Sequence, residues 1–156
     1  MVLQLEKEIR NIAFVNKTVA VQKASLGVGA VFEAVIQQLN AYLSQEIASG
    51  NYFCIEPVTI LISDVNAYRN QCLNALKRQA RRFSRELCAS PEVDLVLDSE
   101  IVLAGDEEND ATNQFVDYLL ENNSDDLLSV AVCQAALRER VESWNLAYEM
   151  TFTLIL

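Results

Sequence analysis

Asp106, Glu108 and Asp110 stand at alternate positions of an acidic run, Thr112 follows, and Asp117 falls twelfth from Asp106. Oxygen ligands at that spacing are what a calcium loop uses. Two departures argue against the metal. Ala111 stands where the sharp turn requires glycine, and Asp117 is one methylene shorter than the bidentate Glu of the pattern. The run Asp106, Glu107, Glu108, Asp110 therefore reads as a solvated acidic loop. No metal or other cofactor is expected.

Other chemistry is equally thin. The chain has no histidine, which removes Ser-His-Asp and Cys-His machinery and any imidazole metal site. Cys54, Cys72, Cys88 and Cys133 are too far apart for CxxC sites. Their flanks are apolar, as in Phe53-Cys54-Ile55, so reduced, buried thiols are expected. Gly27-Val28-Gly29 begins like a dinucleotide fingerprint, but Phe32 occupies the place of the third glycine. Paired carboxylates exist by count. They lie in polar stretches rather than in a pocket that could raise their pKa. No catalytic residue can be named.

Charge is distributed more tellingly. Between Glu86 and Asp126 there are thirteen carboxylates and no Lys or Arg. Just before them, Arg69, Lys77, Arg78, Arg81, Arg82 and Arg85 supply half of the chain's twelve cations. At about 100° per residue, the five from Lys77 onward fall within a ~140° arc, opposite the side of Leu76 and Phe83. A basic face and an acidic segment on one small chain suit docking. Net charge is −10, which disfavours general binding to nucleic acid or to anionic membrane.

The elements that must carry these residues follow from periodicity. Leu5, Ile9, Ile12, Val15 and Val19 fit a helix over 3–24, with a hairpin around Asn16-Lys17 as the alternative. Gly27 and Gly29 interrupt the pattern, and a helix over 31–47 follows, stopped by Gly50. Val58 to Ile62, behind Pro57, reads as a buried strand. Asp64 then caps a helix from Val65 to about Leu87, whose apolar face runs through Tyr68, Cys72, Leu76 and Phe83. Val93, Leu95 and Leu97 suggest a half-exposed strand with Ile101 to Leu103 as its hairpin partner. A short helix spans 111–122. Another, capped by Ser124, runs to about Ser143 and buries Val130, Cys133, Leu137, Val141 and Trp144. Tyr148, Met150, Phe152, Leu154 and Leu156 alternate as a C-terminal strand.

The expected fold is α+β: several amphipathic helices packed on a small mixed or antiparallel sheet that includes the C-terminal strand. At 156 residues a single domain over 1–156 can bury roughly 70% of its unfolded surface. No signal-like start or spanning apolar run is visible, so the expected compartment is the cytoplasm, or a virion assembled there. The expected function is a non-enzymatic subunit that self-associates into a ring or larger particle. Subunits that join a phage head to its tail are an example of that size and lack of chemistry. The alternatives are an acidic chaperone or charge-mimic inhibitor for a basic partner, and an enzyme with an unrecognised carboxylate site. The interface candidates are the cations Arg69, Lys77, Arg78, Arg81, Arg82 and Arg85 and the acids Asp106, Glu107, Glu108 and Asp110.

Overall fold

The computed structural model describes residues 11–90, 92–99, 107–122 and 126–156. Its elements are β1 (Ile12–Val15), α1 (Lys17–Ala24), α2 (Leu26–Ala48), α3 (Ile55–Cys88), β2 (Leu95–Asp98), α4 (Thr112–Glu121) and α5 (Val130–Tyr148). The molecule is mostly helical, and the expected α+β fold with a mixed or antiparallel sheet is wrong. Among the described residues the sheet is two short strands, paired parallel. The chain divides into two compact units. One takes Met1–Ala24 and Ala75–Asn122, the other Ser25–Asn74 and Asn123–Leu156.

In the first unit β1 and β2 pair with Ile12 opposite Leu95 and Val15 opposite Asp98. Ala13 and Val15 are buried while Ile12 is exposed, the alternation of a half-buried strand. Asn16 ends the strand and caps α1: its Oδ1 accepts from Val19 N at 3.1 Å. This capping replaces both expectations for the N-terminal segment, since residues 12–24 are a strand followed by a helix rather than one helix or a hairpin. Residues 3–10 lie outside the described part, as does the hairpin partner Ile101 to Leu103. The short helix expected at 111–122 is α4, which packs against α1 and buries Phe115, Tyr118 and Leu119. Phe83 of α3 completes an aromatic cluster, 5.2 Å from the Phe115 ring and 5.4 Å from that of Tyr118.

The second unit is helical. Val28, Val31, Phe32, Val35 and Leu39 of α2 share a core with Val58, Leu61 and Val65 of α3 and with Cys133, Leu137, Val141 and Trp144 of α5. Gly27 and Gly29 do not interrupt α2. A Cβ at Gly27 would stand 3.2 Å from Val130 Cγ2, so glycine permits a close approach there. The stop at Gly50 is as expected. Gly50 adopts φ +82°, Asn51 N donates to Glu46 O and Gly50 N to Ile47 O, closing α2 with a left-handed turn.

The buried strand at Val58 to Ile62 is a correction, because this run lies inside α3. Val58, Leu61 and Val65 recur at three and four residues, and this spacing wins over the local β-branched composition. Pro57 is third in the helix, where its missing N–H has no intrahelical partner to lose. Asp64 is accordingly mid-helix and not a cap. The start of α5 also differs. Ser129 Oγ accepts from Val132 N at 3.3 Å, so Ser129 is the cap, while Ser124 lies outside the described residues. Val130 is exposed; the other four expected core positions of α5 are buried.

The C-terminal strand is the last correction. Tyr148 is the final residue of α5, and Glu149 turns the chain at φ 54°. Residues 150–156 join no sheet. Side-chain amides stand in for the missing ladder. Asn145 Nδ2 donates to Phe152 O at 2.8 Å, and Phe152 N donates to Asn145 Oδ1 at 3.1 Å. Gln38 grips Ile155 in the same two-way fashion. The alternation itself is real: Phe152 is buried and packs on Tyr42, while Thr151, Thr153 and Ile155 face out.

Candidate docking face on the basic segment of α3

The C-terminal segment of α3 places Leu76 and Phe83 in the core of the first unit. Helical spacing then forces the intervening cations outward. Arg78, Arg81, Arg82 and Arg85 are exposed or half-exposed, and Lys77 is half-buried. Among the described residues none of the five forms a salt bridge. Elsewhere Lys17 meets Asp98 at 3.2 Å, Arg69 meets Glu33 at 3.0 Å, and Arg140 meets Asp64 at 3.1 Å. The five side chains therefore form a basic strip that makes no salt bridge among the described residues.

Arg69 does not belong to that strip. It lies in the second unit, committed to Glu33, with its guanidinium 5.9 Å from the Phe32 ring centre. The acidic candidates also separate. Asp106 lies outside the described residues. Glu107 and Glu108 are exposed on a single 3-10 turn, Glu107–Asn109. Asp110 instead fixes the start of α4, where its Oδ1 accepts from Thr112 N at 2.9 Å and from Thr112 Oγ1. Among the described residues no group of three or more Cys, Asp or Glu is placed to hold a metal ion.

The thiols are free. Cys54, Cys72 and Cys133 are buried, while Cys88 is exposed, against expectation, at the end of α3. Burial pushes the Cys133 thiol from 9.0 up to about 11, with Cys72 adding to the shift. Burial likewise raises Tyr68 to about 12, reinforced by Cys72 and Cys133 and opposed by Arg140. Raised values disfavour the thiolate and suit packing, not nucleophilic attack. They also fix a pH dependence. Between the ordinary and the raised pKa the folded state holds a proton that the unfolded state has lost, so stability falls as pH rises there. Urea midpoints are expected to hold level below pH 9.0 and to fall as pH climbs toward about 11. Cys133→Ala should flatten the first part of that decline; an unchanged profile would count against this assignment.

Sequence reasoning misses several exposed apolar side chains in the second unit. Phe53 is 93% exposed although its neighbour Cys54 is fully buried, and Ile60 is exposed although a buried strand would cover it. A helical reading of 53–64 is the signal that could have found them, since it separates Phe53 and Ile60 from Val58 and Leu61. Among the described residues no single helix is long and apolar enough to cross a membrane. Comparison with family models, with curated proteins and with solved structures found no match.

Proposed function

We propose that the protein is a non-enzymatic assembly subunit, in the cytoplasm or in a particle assembled there, that associates with further copies of itself through the basic face of α3. The observation that carries this reading is the set Lys77, Arg78, Arg81, Arg82 and Arg85, without a salt bridge among the described residues, on a chain whose net charge is −10. On so acidic a molecule counter-charges are plentiful, yet among the described residues none lies within salt-bridge distance of these five side chains. Arg forks recognise carboxylates bidentately, so an acidic protein surface is a fitting complement. Exposed carboxylates in both units, such as Glu107 and Glu108 in the first and Glu56 and Glu139 in the second, give every copy acidic surface. Contact between two different faces is heterologous, and its repetition closes a ring or extends a filament. Free thiols suit a reducing compartment.

The reading is tested by Arg78→Glu, Arg81→Glu and Arg82→Glu together. None of the three side chains is buried, so the helical circular dichroism should be unchanged. The solution mass should drop to that of a single chain. A variant that keeps the wild-type mass at every salt concentration would remove the basic face from the contact.

A further inference from the structure

α3 and α5 run side by side in the second unit, with Trp144 Nε1 donating to Pro57 O at 2.8 Å and Arg140 meeting Asp64 further along. Between them they leave an open groove of about 540 Å³, lined by Ile60, Leu61, Trp144 and Ala147 and bordered by the Asp64–Arg140 pair and by Glu139. Small residues on α5, Ala136, Ser143 and Ala147, fail to fill it. Phe53 lies just before α3, on the 3-10 turn Tyr52–Cys54 that leads into the helix. Tyr148 lies one turn beyond Trp144, toward the same end, its ring 6.0 Å from the indole.

This end of the unit is unusually apolar. Exposures are 64% for Tyr52, 93% for Phe53, 43% for Ile60, 85% for Leu146 and 41% for Tyr148. Exposed apolar side chains of this size are what association covers. The rim is acidic: Glu56, Glu139 and Glu149 are exposed and, among the described residues, form no salt bridge.

We propose that this aromatic, acid-rimmed end of the second unit is the surface that receives the basic face of α3 from a second copy. The inference rests on the self-association reading and adds its missing half. Its chemistry is already used twice inside the chain. Arg69 joins a carboxylate, Glu33, to an aromatic ring, Phe32. Arg140 pairs with Asp64 while its guanidinium lies 4.4 Å from the Tyr68 ring centre. Phe53 and Tyr148 with Glu56 and Glu139 offer the same combination to incoming guanidinium groups. Arg stems also cover apolar surface while their heads reach the acidic rim.

The test is complementation between two variants. One carries the three Arg→Glu reversals; the other carries Phe53→Ser, Glu56→Lys and Glu139→Lys. Each alone should be monomeric with wild-type helical content. Mixed in equal amounts, they should give a one-to-one dimer and nothing larger, since one intact face of each kind remains. Phe53→Ser by itself, at a nearly fully exposed position, should weaken association about tenfold or more. If the acidic-end variant keeps wild-type mass, or the mixture stays monomeric, this surface is not the receiver, while the role of the basic face still stands. A wild-type protein that is monomeric at low salt would instead remove self-association itself.

Discussion

Replacing Phe152 by Ala is expected to cost roughly 3–5 kcal/mol, the range for deleting a buried aromatic ring. The side chain is 9% exposed and its ring centre lies 5.1 Å from that of Tyr42. Its backbone is held at both N and O by the Asn145 side chain. Typical domains have only about 5–15 kcal/mol in total, so thermal unfolding should shift by about 2–4 °C for each kcal/mol lost. Asn145→Ala should be destabilising too, by about 1–3 kcal/mol, because it strands two backbone groups. That second loss separates a strap held by side chains from a strand held by a sheet, which would be indifferent to Asn145. A Phe152→Ala melting curve matching wild type would mean that residues 150–156 contribute nothing to the core.

The first unit has its own keystone. Phe115 is fully buried, beside Phe83 at 5.2 Å and Tyr118 at 6.4 Å. Phe115→Ala is expected to cost about 3–5 kcal/mol. The same change removes the ring against which Phe83 fixes the rotation of α3, and that rotation sends Arg78, Arg81, Arg82 and Arg85 outward. Amide exchange should therefore speed up over the C-terminal segment of α3 and over α4. Unchanged protection there would show that Phe115 does not hold the basic segment in place.

Legibility follows the length of the periodic pattern. The apolar positions Tyr68, Cys72, Leu76 and Phe83 repeat over many turns, so the helix and its basic face can be read correctly from spacing alone. Val58 to Ile62 is five residues long, too short to show a period by itself, and its β-branched composition suggests a strand. The answer lies in its neighbours, since Val58, Leu61 and Val65 continue the helical spacing. At the C-terminus the alternation is legible and its partner is not. Period two says only that every second side chain is buried. It does not say whether the backbone is satisfied by a neighbouring strand or, as here, by the amides of Asn145 and Gln38. The pairing of β1 with β2 joins residues about eighty positions apart, and no local signal encodes that. The apolar end of the second unit is hidden for the same reason as the start of α3: with Ile60 in a strand, Phe53 and Ile60 cannot share a face.

Self-association driven by unlike charges should show in the sedimentation of the wild-type protein across salt concentrations. Screening shortens the reach of charge from about 30 Å at 0.01 M salt to about 3 Å at 1 M. The expected mass is well above that of one chain at low salt and falls toward 17.5 kDa as salt rises. A single-chain mass at the lowest salt, or an assembled mass indifferent to salt, would contradict it.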